Sequence, residues 1–512
     1  MTRAAFVKLK QDEAVYPLTP PYEPDRAYPE FADAGWPIGV DPSNTVYSGV
    51  RQLLIDLGLD SARRGTACWN PLSDYVCAGE TVVIKPNLVI HKHFSGAEGL
   101  RWTITHPSVV RALIDYSLLA VGPSGQVVIA DTPLEDCDFQ ELLRSSGYGE
   151  MTRALQGRGL NVEIRDLRSY QSLNLMDGKS ERLPLPGDPQ GYTDCDLAEA
   201  SAFSELERSA TPRNYYTMGD HSVDHLDIST RKPGKPTENH LPGRHIYRVS
   251  NSILNAAFCI NVAKMKTHKF SGVTLCLKNA IGICNGKEFM PHRRPGPPCE
   301  GGDSYASPPS WSYRWRVRRA RALSSFVGLR AASFLIEAIR RVFPRPLPHQ
   351  APWEPVFGDW SGNDTIWRTT VDLNRIWLGN SWKNRQSPSG VRKMLCVIDG
   401  VIGMDHEGPM AGMPVGSSVL VMAKDPVAAD TLGAMLMGFD PEKIPTIKNA
   451  ERLHEINLGL PLPHDSIRGN TSLKEAQTRF TPNRGWIEAL GRDSEKSAPY
   501  SREEEVCPCE SA

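Results

Sequence analysis

Lysine and histidine crowd one segment of this chain. Lys264-Met265-Lys266-Thr267-His268-Lys269-Phe270-Ser271-Gly272-Val273-Thr274-Leu275-Cys276-Leu277-Lys278-Asn279 holds four lysines and a histidine. Read as a turn opening towards an apolar helix, it gathers ammonium groups, backbone N–H groups and the positive end of a helix dipole at one place, and a phosphate or carboxylate is the guest that suits them. Ser271 and Gly272 are small enough to let the backbone approach such a guest. A solvated basic loop is the plainer alternative. The spacing is not that of a Walker loop, so it gives no reason to expect ATP. Imidazole gains and loses a proton near neutrality. His268 in this segment and His292 beyond it are therefore candidate general acids or bases, or metal ligands, and Lys266 is a third candidate catalytic group.

Asp131, Asp303, Asp364, Asp372, Asp399 and Glu407 offer hard oxygen to Mg²⁺ or another divalent cation where several converge. Of these, Asp131, Asp399 and Glu407 form the candidate metal set. The histidines of His91-Lys92-His93 and His221-Ser222-Val223-Asp224-His225 lie in polar stretches and read as surface residues rather than paired ligands. Eleven cysteines, scattered from Cys68 to Cys509 without a Cys-x-x-Cys, speak against a disulfide framework and fit a reducing compartment. Cys507-Pro508-Cys509 supplies too few thiolates for an intrinsic four-cysteine iron–sulfur cluster, and Cys276 and Cys284 read as buried. Neither Gly-x-Gly-x-x-Gly after the first strand nor Gly-x-Ser-x-Gly occurs, which removes the usual support for a dinucleotide fold or an α/β-hydrolase.

A parallel sheet would bring such residues together. Val46 to Leu54 reads as a helix. Thr81-Val82-Val83-Ile84 is a short β-branched strand that stops at Lys85-Pro86-Asn87. His106-Pro107 opens a helix whose apolar positions Val109, Val110, Leu113, Ile114 and Leu118 keep helical spacing, with proline where its missing N–H costs least. Gln126 to Ala130 is a second strand, ending at Asp131-Thr132. Strand, helix and strand with short polar joints make a βαβ unit and hence a parallel sheet. Asn161–Arg165, Ala256–Val262, Met394–Gly400 and Ser418–Ala423 read as further strands, and Pro426–Met437 as a helix.

In open parallel sheets ligands lie outside the carboxyl ends of the strands, near a topological switch point. The expected fold is α/β, with a mostly parallel sheet, flanking helices, two irregular insertions and one cleft that collects Lys85 and Asn87, Asp131, the Lys264 run and Asp399. Along the chain this gives an extended arm over 1–44, core over 45–183, and an insertion or lid over 184–245. Core with the basic motif follows over 246–292, then a Pro/Gly-rich insertion with a basic amphipathic helix over 293–360. The core closes over 361–467, and a flexible tail occupies 468–512.

Composition narrows the partners. The 512 residues are 40% hydrophobic and 23% charged, ordinary globular usage, and a net charge of −1 gives no global field to draw the molecule to nucleic acid. The first twenty residues are broken by Lys8, Lys10, Asp12 and Glu13 and show no signal-peptide core, so a cytoplasmic location is expected. No apolar stretch is long enough for a transmembrane span; the nearest contains Arg330, Glu337, Arg340 and Arg341. The basic amphipathic helix over 314–343 could lie on an anionic membrane surface, act as a lid, or join a homodimer.

The run Lys85-Pro86-Asn87-Leu88-Val89, then Thr105-His106-Pro107, then Lys264-Met265-Lys266-Thr267-His268 with Gly272-Val273-Thr274 and Leu277-Lys278-Asn279, resembles the DUF362 family. Gly282-Ile283-Cys284-Asn285-Gly286-Lys287, Pro291-His292, Gly301-Gly302-Asp303, Gly362-Asn363-Asp364-Thr365-Ile366-Trp367-Arg368, Asp372-Leu373-Asn374-Arg375, Asp399-Gly400 and Glu407-Gly408-Pro409 are similar to its long subgroup. The similarity runs from about Val82 to about Pro445. It implies a domain more than a reaction. Some members carry a ferredoxin-like cluster region, which this chain lacks; long members are often associated with bacterial polysaccharide or natural-product biosynthesis.

In that light Lys85, Lys264, Lys266 and Lys278 are expected to hold an anion and Asn87 and Asn279 to orient it. Thr105, His106, Thr267, Thr274, Asn363 and Arg368 are further binding positions within the shared motifs. The expected function is a cytoplasmic biosynthetic enzyme working by acid/base chemistry, as an isomerase, epimerase or lyase, on a small carboxylated or phosphorylated substrate, sugar-derived or not, with or without a divalent metal ion. The alternatives are a non-catalytic ligand-binding or scaffold protein and a redox protein that borrows an iron–sulfur or other cofactor.

Overall fold

The computed structural model describes residues 2–10, 15–174, 180–207, 216–217, 238–294, 296–306, 358–379, 382, 391–456 and 461–491. The basic helix expected over 314–343, His221, His225 and the Cys507-Pro508-Cys509 end lie outside the described residues.

Ten strands form one mixed sheet: β1 (Ala4–Lys8), β2 (Thr81–Pro86), β3 (Gln126–Asp131), β4 (Val162–Asp166), β5 (Phe258–His268), β6 (Gly272–Thr274), β7 (Met394–Asp405), β8 (Met413–Val415), β9 (Val419–Ala423) and β10 (Ile467–Gly469). The order is β10-β1-β9-β7-β5-β2-β3-β4, with β6 folded back on β5 and β8 on β7. β7, β5, β2, β3 and β4 are mutually parallel. β9 runs against both of its neighbours, β7 and β1.

Parallel strands covered on both faces read as unbroken apolar runs, and alternation divides their side chains between two cores. Val82, Ile84, Val127, Ile129, Ile260 and Val262 pack on one face with α1 (Thr45–Asp56) and α2 (Pro107–Val121). Val83, Val128, Cys259, Ala263, Cys396 and Ile398 pack on the other with α6 (Ile366–Gly379) and α7 (Pro426–Leu436). α2 starts as its sequence implies: Pro107 stands in the first turn and the His106 side chain accepts from Ser108 N. From β2 the chain steps outward to β3 through α2 and to β4 through α3 (Phe139–Ser146) and α4 (Tyr148–Gly157). It then returns to the opposite side of β2 with β5 and β7, so the gap between β2 and β5 is the switch point.

Three boundaries differ from the sequence reading. Within the arm of 1–44, Ala4–Lys8 is a strand inside the sheet, too short a run to show a period alone. The stretch expected to be a flexible tail is packed as far as residue 491, where Phe480 and Trp486 are fully buried. In the insertion over 184–245, Tyr192–Asp196, Arg244–Ser250 and His240–Leu241 pair as a small sheet of their own.

A lysine-rich cavity at the switch point

A cavity of about 710 Å³ opens where the carboxyl ends of β2, β3 and β5 meet. Its floor is an ion pair. Lys85 Nζ lies 2.6 Å from Asp131 Oδ1 and donates to Pro86 O at 2.8 Å and to Asn279 Oδ1 at 3.0 Å. Asp131 also accepts from the backbone N–H of Leu88 and of Thr132, at 2.7 and 2.9 Å. Burial lowers the Lys85 pKa and Asp131 opposes that shift. Gly282 closes over the pair. A Cβ there would stand 2.1 Å from Asp131 Oδ1 and 2.5 Å from Lys85 Nζ, a space that only glycine leaves open.

Asn279 ends the single-turn helix α5 (Cys276–Asn279) and ties three elements together. Its Oδ1 accepts from Lys85 and, at 3.2 Å, from Asn87 Nδ2, while its Nδ2 donates to Asn261 Oδ1 at 2.8 Å. Because Asn279 must present oxygen to the ammonium, Asn87 must present nitrogen to Asn279. The Asn87 oxygen is left buried and without a hydrogen bond, as are the hydroxyls of Thr132 and Thr274, and all three residues line the cavity.

The walls carry lysines together with two acids, Glu135 and Asp136. Lys266 Nζ donates to Thr103 O at 2.7 Å and Pro409 O at 3.2 Å, with no carboxylate in reach and one hydrogen to spare. Lys278 and Lys287 also line the cavity and are only 7% and 6% exposed. Among the described residues neither ammonium has a hydrogen-bond or ion-pair partner. An unpaired buried ammonium is driven to lose its proton. Lys278 is brought down to about 7 by burial and by the neighbouring Lys287 and Lys85. Lys266 falls well below the ordinary lysine value through burial, reinforced by Lys264 and Lys278, and burial lowers Lys287 as well.

Two imidazoles share this space. His268 Nδ1 accepts from Phe270 N at 3.0 Å, which puts the ring proton of the neutral form on Nε2. His292 Nδ1 lies 2.9 Å from Met290 O, an acceptor only, so Nδ1 carries a proton there. Burial, with Lys278 and then His292 adding, holds His268 far below the usual histidine range. The edge of the Phe270 ring meets His292, with centroids 5.9 Å apart.

Several expected site residues lie elsewhere. Lys264 is on β5 but belongs to a dry network: its Nζ donates to Tyr16 OH at 2.6 Å, Arg101 O at 2.8 Å and Asp399 Oδ2 at 3.0 Å. Tyr16 OH donates to the other Asp399 oxygen, and His106 stacks on the Tyr16 ring at 3.9 Å while its N–H reaches Asp399. Lys264, His106 and Asp399 thus fasten residues 15–25 to the sheet, and Asp399 does not share the cavity with Asp131. Thr105 bridges Val262 O and Asn87 N, and Thr267 reaches the His406 carbonyl. Asn363 caps α6 through Thr365 N and Ile366 N and holds the His292 carbonyl at 3.0 Å. Arg368 donates to Ala202 O and lies over the Trp367 ring.

The candidate metal set is dispersed. Asp131 faces Lys85, Asp399 faces Lys264, and Glu407 accepts from Asn483 Nδ2 at 3.0 Å. Among the described residues no group of three or more His, Cys, Asp or Glu side chains is placed to hold a metal ion. Asp303 and Asp372 are likewise held by protein donors. The helix end expected to face an anion is taken: Asp430 accepts from Cys276 N at 2.7 Å and Leu277 N at 3.0 Å. Lys264 to His268 prove to be strand rather than turn, so what this segment offers the cavity are the side chains of Lys266 and His268.

Two participants escaped the sequence reading. Lys287 stood inside a recognised motif without a role, and Tyr16 lay in a Pro/Tyr-rich stretch with no period. Among the described residues no helix is long and apolar enough to cross a membrane. A family model described as a domain of unknown function, DUF362, matches residues 82–184 and 197–435. No curated protein and no solved structure matches the chain.

Proposed function

The chain belongs to the DUF362 family, and we propose that its switch-point cavity binds a small anionic substrate and moves a proton on it, as an isomerase, epimerase or lyase does. The observation that supports this reading is the pairing, along one cavity, of three buried lysines with no carboxylate in hydrogen-bond reach and two imidazoles. A substrate anion supplies counter-charge beside Lys266 and Lys278 and adds to that of Glu135 beside Lys287. The same ammonium groups stabilise negative charge that develops on the substrate once a proton leaves it. His268 and His292, both in the cavity lining, are the groups to take that proton and to return one, the transfer that isomerisation, epimerisation and elimination require.

A thermal-shift screen with sugar phosphates, nucleotide sugars and short carboxylates tests the binding half. At least one anion should raise the melting temperature, and Lys266→Ala should abolish the rise. No response to any of them would remove the anion site. For the catalytic half, solvent deuterium should enter a bound ligand in the presence of the protein, and His292→Ala should stop the exchange. Binding that persists with no exchange in either form would instead favour a carrier or scaffold.

A further inference from the structure

Resting on that anion-site reading, the polar groups of the cavity specify more than charge. Three lysines reach the cavity from β5, from α5 and from Lys287 further along the chain, and Thr274 beside them is 3% exposed with no partner for its hydroxyl oxygen. Four donors around one site call for an acceptor with several oxygens on one centre. A carboxylate offers two oxygens and one charge; a phosphomonoester offers three terminal oxygens and close to two charges at neutral pH. Asn87 adds a demand of the opposite kind. Its orphan atom is an oxygen, fixed as such by Asn279, so it needs a donor from the ligand. Of the common substituents of a small metabolite, a hydroxyl supplies one.

We propose that the cavity takes a hydroxylated phosphomonoester, with the phosphoryl oxygens against Lys266, Lys278, Lys287 and the Thr274 hydroxyl and a ligand hydroxyl donating to Asn87 Oδ1. Since Lys278 in the empty cavity titrates at about 7, a dianion that restores its charge draws a proton from solution at higher pH.

Glycerol 3-phosphate and glycerate are matched probes, alike in their hydroxyls and different in the anion. Calorimetric titration of the full chain at about pH 8, in two buffers of different ionisation heat, should show glycerol 3-phosphate binding at least about tenfold more tightly, with uptake of at least about one proton. Lys278→Met should remove the preference and reduce the uptake. Asn87→Asp, which turns the orphan amide into a carboxylate beside the phosphoryl site, should weaken binding further than Asn87→Ala. Equal affinity for the two probes, or binding without proton uptake, would overturn the phosphomonoester assignment and leave the anion site standing. Failure of both probes and of inorganic phosphate to bind would overturn the anion site itself.

Discussion

Lys278, a proposed binding group, works against the fold that holds it. A lysine whose pKa falls on folding binds fewer protons in the native than in the unfolded state between the two values, so its burial destabilises the protein fully below about pH 7, and the penalty fades as pH rises towards 10.5. Lys278→Met should therefore raise the melting temperature at neutral pH. Its advantage over the wild type should shrink between about pH 7 and pH 10, a trend readable from melting curves across that range. The opposite result is expected at Gly282. Any side chain there meets Asp131 and Lys85, and Gly282→Ala should cost about 1–3 kcal/mol in denaturant unfolding, a typical overpacking penalty, and should weaken anion binding because the cavity floor shifts. A variant as stable as the wild type would show that the floor is not rigid.

Among the elements, the short helix α5 carries the most consequence for its size. A single turn has little intrinsic stability, yet it positions both Lys278 and Asn279. Asp430 on α7 holds it by accepting from its first two N–H groups. Asp430→Ala should cost about 1–3 kcal/mol, the usual penalty for stranding buried donors. It should also lower anion affinity although residue 430 is no part of the cavity lining, and chemical unfolding together with calorimetry would separate the two effects. Much of this level was legible beforehand. The β-branched runs at Val82–Ile84 and Val127–Ile129 and the proline-led helix at Pro107 follow from local pattern alone. Asp430 is different: its partners are 154 and 153 positions away, a spacing that no periodicity encodes. The same limit explains Lys264 and Asp399. Their residue types suit a ligand as well as they suit each other, and only the presence of Tyr16 between them decides the matter.

For the molecule as a whole, the cavity lies where the parallel part of the mixed sheet splits its strand order, at the carboxyl edge where the sequence reading looked for a ligand. That reading erred in drawing every polar strand end into one pocket. β7 instead brings Asp399 to the side covered by residues 15–25, and Lys287 stands in the cavity where Lys264 was expected. Its titration sets the behaviour of the intact protein. Ligand at about a hundred times its dissociation constant should add about 2.7 kcal/mol of stability. Anion affinity should decline as pH climbs above about 7, because each binding event must then recharge Lys278. A pH-independent melting shift with saturating phosphate between about pH 6 and pH 9 would contradict this.

β1 lies between β9 and β10. During synthesis Ala4–Lys8 leaves the ribosome more than four hundred residues before the two strands that flank it. That end of the sheet can therefore be completed only after both have emerged, and loop closures of that length are slow to find. Nascent chains halted before Val419 should leave their leading segment open to protease, and those released after Gly469 should protect it. The seam that Ala4–Lys8 makes with these two strands is thus a late checkpoint on maturation.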